Sequence, residues 1–554
     1  MNEVNEQIGT IEYNDVSGGI KLSSNPFTLN VNESPYLINV DLSSNGIFAR
    51  GGYAFQEALP EWINIVEIFD YYYNGEYNWI AVAYPYILKI NPRNYSWKIL
   101  YSKWFSTGKP EAAQSPETIM IVDGANKPLQ ITDETVTELT WPQTLTNANN
   151  AAGTSGDIGN IVQSIFNTRT DQQPADFGVP NHVLYVNNRF QVTEINYRNV
   201  VIFSRWDDFT DFSTNAPADY DVAFFIELPT PYDVTGWELL NNEYVVIYLT
   251  NGYIVQSGQQ PPGIGYPEPW LSWQVRDTIN GCLNSKLIEK NSEGDHFYIT
   301  SKNRLFSLKS SENFNQAKTE GLSEDIYPLL ESFSKEQWEK SIMINNHVTG
   351  ELLIFAPSEE HDGYPTTCYV YKYSSQTRGW TLESAWGENF ILTAAHLDLE
   401  TGQVVLVNQG NRLLIHDSGT NFDGYPVTTI AEIRPEDFGN TSKMKEVLGA
   451  YFVVSNVSDG QFIYRWRWDN NEESLEIVTT TKATSIEDLK DLTEVENNIL
   501  SDLGDNFKVI GVPMLNKTGQ ILKQRIETNK EQKLEINKML LVYKLHGIAP
   551  FSRN

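Results

Sequence analysis

The sequence predicts an all-β chain built around a β-propeller of about seven blades, with six to eight accommodated by the pattern. Three observations carry that expectation. Apolar runs joined by tight polar turns recur from Ile47 to Ile433. The last four hairpins begin at Glu243, His296, Glu351 and Gln403, at intervals of 53, 55 and 52. A near-constant period of that size, with a small antiparallel sheet in each repeat, is what a propeller generates. Aromatic residues reach 12%, and 36 Gly and 25 Pro are spread along the chain; this is the texture of many short, half-buried strands separated by turns.

Residues 1–46 form a segment that precedes the repeats, and 47–430 form the propeller. Its strand-like runs, several of them hairpins, read NWIAVAYPYILKI from Asn78, ETIMIVDGANKPLQI from Glu117, HVLYVNNRFQV from His182, EYVVIYLTNGYIV from Glu243, HFYITSKNRLFSL from His296, ELLIFAPS from Glu351 and QVVLVNQGNRLLIH from Gln403. Several are linked by Asn-Asn, Asn-Gly or Lys-Asn, which suits tight hairpins that need positive φ. The intervals between the earlier starts, at Asn78, Glu117, His182 and Glu243, are less regular. The small, polar stretch Asn147 to Asn160 reads as part of a flexible insertion near 143–180. A set of unrelated β-sandwiches with similar hairpins is the alternative architecture.

Residues 431–554 read as an appended small α+β or β-sandwich domain. Leu448 to Trp468 gives two long strands. Thr484 to Gly504 has a helical pattern: Thr484 or Ser485 can cap its start, Glu487 and Asp488 lie in its first turn, and Gly504 ends it. Ile486, Leu489, Leu492, Val495 and Ile499 recur there at spacings of three and four. Further strands run to Leu545.

The formal net charge is −31. A protein that grips DNA needs clustered Lys and Arg to release counterions, so a DNA-binding regulator is excluded. The two cysteines, Cys282 and Cys368, have no CxxC partner and read as buried, reduced thiols; their scarcity suits a reducing cytoplasm. The first residues, MNEVNEQIGTIEYND, lack a basic start and an apolar stretch, so no signal peptide is expected. No window approaches the length of uncharged apolar sequence that a membrane-spanning helix needs, so no membrane span is expected either.

Little in the sequence points to catalysis, and no catalytic, cofactor or metal residues are assigned. The histidines are His182, His296, His347, His361, His396, His416 and His546, with neither HExxH nor zinc-ligand spacing. His182, His296, His396 and His416 lie in or beside strands, as packed, hydrogen-bonded histidines do. No GxSxG elbow or Walker loop occurs, and Gly258 to Pro267 reads as a loop. The carboxylate pairs Asp207–Asp208, Glu359–Glu360 and Glu472–Glu473 are expected by chance among 71 acids. The turns His361-Asp362-Gly363-Tyr364-Pro365 and Phe422-Asp423-Gly424-Tyr425-Pro426 read first as turn formers. Trp206, Trp237, Trp270, Trp273 and Trp380 would be stacking platforms if the protein were instead a host-surface glycan-binding adhesin. A propeller glycosidase would need two carboxylates converging on one sugar bond.

The most specific signal lies in Ser17 to Tyr53. There, Gly18-Gly19-Ile20 is followed by Asn25-Pro26-Phe27, by Leu37, Asn39 and Val40, and by Arg50-Gly51-Gly52. This order resembles the opening of podovirus tail nozzle proteins, also called tail tubular protein B or tail stabilisation proteins. Two later segments resemble the same family: Val179 to Phe212, with Ser204, Asp208, Asp211 and Phe212 after a strand, and Gly281 to Leu308, with a Gly-Cys turn leading into a blade. The resemblance covers roughly residues 15–470. It implies a structural component of a bacteriophage short tail, made in the bacterial host cytoplasm and located at the distal tail of the virion. It also implies a homohexamer below a tail adaptor ring, with fibres or spikes alongside, and the 1–46 segment docking on propeller or adaptor. Double-stranded DNA would pass through as cargo without specific binding. An acidic lumen would repel phosphates and keep the duplex sliding; solubility alone is the other use of such a charge.

Overall fold

The computed structural model describes residues 7–42, 46–141, 178–196, 198–206, 208–212, 223–241, 244–258, 271–310, 317–357, 365–372, 378–384, 391–439, 443–455, 461–469, 473–479, 507–514, 518–528 and 535–548. The insertion near 143–180, apart from its last three residues, and the helical pattern at 484–504 lie outside them. Among the described residues the chain is mostly β-strand with few helical turns, and its small antiparallel sheets are arranged as a β-propeller.

Each repeat is a four-strand antiparallel meander, called a quartet below. The first five quartets are separate sheets, opening with strands Glu67–Tyr73, Glu111–Gln114, Pro180–Val186, Val234–Leu240 and Ile288–Lys290. The sixth opens with Ile342–Asn346 inside a nine-stranded sheet. The seventh opens with Leu392–Leu397 and takes its fourth strand, Tyr53–Ala58, from near the start of the chain. Opening strands of successive quartets adjoin from the second to the seventh, and that of the seventh lies against that of the first. The first and second meet where the Tyr72 N–H donates to Gln114 Oε1 at 3.1 Å. The set therefore closes on itself.

The hairpins legible in sequence fall one per quartet. In five they are the second and third strands, the run from Glu351 is the second strand alone, and the His182 hairpin is the first and second. That offset accounts for part of its irregular spacing. Counted from its second strand, which begins at Arg189, the step to the matching strand at Tyr244 falls in line with the later repeats. The turn chemistry matches too. Asn187 and Asn188 have φ of 53° and 57°, and Asn303 and Asn411 lie at 59° and 57°, a region that Asn tolerates better than most residues.

The N-terminal segment is sewn into this frame. Gly19 has φ of 68°, and a Cβ there would stand 2.4 Å from the Trp380 backbone nitrogen. Gly19–Ile20 thus lies flat on the last strand of the sixth quartet. Leu37 and Val40 are fully buried, each contributing about 1.5–3 kcal/mol from apolar burial. Asn39, at φ of 54°, donates its side-chain amide to the Thr428 carbonyl at 2.7 Å and accepts the Ser384 N–H at 3.1 Å. Asn25 Oδ1 accepts the Phe27 N–H at 3.1 Å, capping a single 3-10 turn that leaves Phe27 exposed.

Arg50 ends this segment in a buried charge knot. Its guanidinium donates to Glu351 at 2.8 Å and stands 3.4 Å from Glu383 and 3.5 Å from Asp417. His416 Nε2 lies 2.9 Å from Glu383. Burial opposes the Arg50 charge, but Glu351, Asp417 and Glu383 outweigh it and hold Arg50 well above its usual range. His416 and Arg50 likewise outweigh burial at Glu383 and keep its carboxyl below the usual carboxylate range. Beside the knot, a Cβ on Gly52 would stand 1.9 Å from the Asn421 carbonyl oxygen.

Leu37–Ile38 has a second consequence. Ile38 pairs with Leu382 of the sixth quartet on one side and with Ile430 on the other. The nine-stranded sheet therefore runs on through Thr429–Glu436, Leu522–Thr528, Gln461–Trp468 and Ser474–Thr479. A seven-stranded sheet faces it, centred on Lys443–Ser455 and Glu535–Ile548, with Gln7–Tyr13 paired along the latter. Phe452 packs against Phe462 at 5.0 Å and Tyr464 at 5.1 Å across the two sheets.

Removing one partner of a buried ion pair leaves an uncompensated charge, which costs about 3–5 kcal/mol. Arg50→Ala is therefore expected to lower the unfolding free energy, read by urea denaturation, by that amount. A loss under about 1 kcal/mol would show the knot to be marginal.

Candidate functional site at the mouth of the ring

In an antiparallel meander the start of the first strand and the turn between the second and third lie at the same end. From the second to the sixth quartet these segments surround a cavity of about 950 Å³. The approaches contribute Thr107 to Lys109, Asn181–His182, Asp233 to Thr235, Leu283 to Ser285, Phe333 and Lys335; the turns contribute Asp123 to Ala125, Ile195, Arg198, Thr250, Ser301 and Asn303. The volume is that of a small-molecule site.

Each of its lysines and its arginine lies near a carboxylate, and the two lysines share one. Glu339 stands 3.8 Å from Lys109 and 3.9 Å from Lys335, and Arg198 stands 3.6 Å from Asp233. Deeper in, His182 Nδ1 lies 2.7 Å from Glu111. Asp123 accepts the Ala125 and Asn126 N–H groups at 2.9 and 2.8 Å and the Tyr84 hydroxyl at 2.8 Å. Beside Ser285, Lys286 pairs with Glu67 and donates to the Val66 carbonyl at 3.4 Å. Lys286 leads into the fifth quartet and Glu67 opens the first. Those quartets are not neighbours around the ring, so this ion pair spans its interior.

At the other end of the opening strands lies a cavity of about 400 Å³, lined by Asp70, Glu289, Lys290, His347, His396 and Leu399 among others. Asp70 accepts the Tyr77 hydroxyl at 2.5 Å and stands 3.1 Å from His396 Nε2. Burial, with Glu238 nearby, pushes the Glu289 carboxyl up to about 8.

The residues singled out in sequence are scattered. His182, His296, His396 and His416 all lie in strands; His296 Nδ1 is 2.9 Å from the Tyr248 hydroxyl, and burial pushes its pKa down to about 4. His347 is exposed in a turn beside the smaller cavity. His361 and the His546 side chain lie outside the described residues. Cys282 is buried and free, its thiol pushed up to about 12 by burial; the Cys368 side chain is not among those described.

The stacking-platform expectation is corrected for two tryptophans. Trp237 and Trp380 are buried, and Trp380 donates its indole N–H to the Leu322 carbonyl at 3.1 Å. Trp206 is half-buried beside the Arg189 guanidinium, 5.5 Å away, and Trp273 donates to Gln256 at 3.3 Å. Trp270 lies outside the described residues. Asp208 caps Thr210, Arg205 pairs with Asp211 at 3.4 Å, and Phe212 packs on Trp141 at 5.3 Å, so these residues close a loop. Asp423 pairs with Arg412 at 2.6 Å in a turn where Gly424 has φ of 92°. Glu473 stands 3.5 Å from Arg465. Asp207, Glu359, Glu360, Glu472, the turn at 361–364 and most of Gly258 to Pro267 lie outside the described residues.

No protein-family model matches the chain, and no curated protein does. Among solved structures it is similar to a chain of the mitotic checkpoint complex, at 7% identity and TM-score 0.34 over 72% of this chain and 98% of that one. It is similar to YCF48 bound to D1 peptide, at 10% identity and TM-score 0.37 over 65% and 93%. It is similar also to the extracellular domain of the putative one component system BT4673 from B. thetaiotaomicron, at 7% and 0.39 over 93% and 63%. Likenesses this distant assign no activity.

Two measurements follow from the buried groups. A raised carboxyl pKa means that the folded chain holds a proton the unfolded chain lacks between pH 4.5 and about 8. The stability due to Glu289 is thus complete at acid pH and lost as pH rises through about 8. Glu289→Gln should raise Tm at pH above that value and leave it nearly unchanged near the ordinary carboxylate range; equal shifts at both would exclude titration of this group. The Cys282 thiol should be inert to a thiol reagent in a native Cys368→Ser variant and react after unfolding; fast native labelling would contradict its burial.

Proposed function

We propose that this chain is a non-catalytic structural part of a short bacteriophage tail. It would form the nozzle at the distal end, in six copies around the tail axis, below an adaptor ring and beside fibres or spikes. The observation that carries the reading is the ordered set Gly18-Gly19-Ile20, Asn25-Pro26-Phe27, Leu37-Asn39-Val40 and Arg50-Gly51-Gly52, which resembles the opening of the tail nozzle family. The work these residues do adds support: three of the four elements are where the leading segment is fixed to the propeller.

We further infer seven blades, because seven quartets follow one another around the ring and the seventh is completed by Tyr53–Ala58. Strands from 429 onward, paired with Gln7–Tyr13, are read as an appended domain toward the tip.

The ring interior bears on where DNA would travel. Lys286 and Glu67 meet across it, whereas the major groove of a duplex is by itself about 12 Å wide. DNA would therefore pass between copies rather than along any one propeller's axis. A surface with net charge −31 per copy repels phosphates and would let the duplex slide.

Immunogold electron microscopy with antibody against the recombinant chain tests the reading. Gold is expected only at the distal end of short tails, and averaged end-on views of the labelled tails should show sixfold symmetry. Gold on cells, or none on particles, would remove the tail assignment.

A further inference from the structure

We propose that the cavity at the mouth of the ring binds a neutral, hydroxyl-rich ligand: a saccharide segment of a bacterial surface polymer. The inference rests on the cavity and stands or falls independently of the tail reading.

Size is the first consideration. About 950 Å³ exceeds what one ion or a few waters fill and suits a short oligosaccharide. Charge is the second. Lys109 and Lys335 share Glu339, Arg198 faces Asp233, His182 faces Glu111, and Asp123 is met by backbone and hydroxyl donors. The pairs at the mouth are largely exposed and each is worth little, but an ionic ligand would lose hydration in exchange for groups that already have an opposite charge beside them. A neutral ligand incurs no such penalty.

The remaining lining completes the match. Thr107, Ser285, Ser301, Thr250 and Asn181 line the cavity, and their side chains carry groups that both donate and accept. A polyol does the same, whereas an apolar ligand would leave them without partners. Ile195, 38% exposed, and Phe333, from a different quartet, supply apolar surface for the C–H face of a sugar ring. The buried Trp237 and Trp380 take no part, so this site differs from the tryptophan platforms expected from sequence.

The full-length chain, fluorescently labelled, is applied to a printed array of neutral and acidic bacterial surface glycans, and hits are checked by saturation-transfer NMR. Neutral glycans are expected to bind and acidic ones to bind no better. Ala125→Trp fills the mouth and should weaken binding about tenfold or more, equivalent to about 1.4 kcal/mol. Val348→Ser, in a turn beyond the cavity lining, should leave binding unchanged. Should Ala125→Trp fail to fold by circular dichroism, Asn181→Leu serves as the second reading and should weaken binding in the same direction. Absence of any glycan signal, preference for acidic glycans, or unchanged binding in a folded mouth variant would overturn the proposal.

Discussion

The buried guanidinium of Arg50 is the interaction on which the architecture turns. Three carboxylates from three separate stretches, Glu351, Glu383 and Asp417, converge on it. Glu351 and Glu383 are buried and would be costly to bury alone, because the protein interior cannot replace their hydration, whereas Asp417 meets the guanidinium from the exposed side. Together with His416 they fix how the leading segment meets the sixth and seventh quartets. The close approach of Gly51 and Gly52 to Asp417 and Asn421 follows: the chain must pass so near the knot that no side chain fits.

From that point the chain is committed at both ends. Tyr53–Ala58 leaves the knot to complete the seventh quartet, so the ring is shut by pairing a strand from near the start of the chain with Arg412–His416, far downstream. Pairings over such sequence distances carry a loop-closure cost that local hairpins avoid. On the other side of the knot, Leu37–Ile38 joins the sixth quartet to the C-terminal strands in one continuous sheet. Propeller and C-terminal sheets therefore share a common seam rather than a linker.

The ring's interior shows how an acidic chain manages its charge. Lys286 reaches across to Glu67, and the larger cavity has its cations matched to carboxylates. At Glu289 burial raises the pKa and favours the protonated form.

The sequence by itself determined the strands and their turns. Alternating apolar runs and Asn-Asn or Asn-Gly turns are local signals, set by the pleat of a strand and by the few residues that tolerate positive φ. All seven runs form strands where they were read, six as hairpins and the one from Glu351 as a single strand, and the regular period marked the repeat. The order of Gly18-Gly19, Asn39 and Arg50-Gly51-Gly52 was legible as well, but their purpose was not. The contacts that explain them lie in the distant second half of the chain, at Trp380, Ser384, Glu351 and Asp417. The cavity was invisible for the same reason: its lining comes in ones, twos and threes from turns of five quartets, and no local window contains a motif. Trp237 and Trp380 show the limit from the other side, since a tryptophan's burial depends on what packs over it. Hydrogen bonding within a hairpin is decided by neighbours in the chain, whereas charge pairing, burial and cavities are decided by which strands the closed ring brings together, and only the tertiary structure decides that.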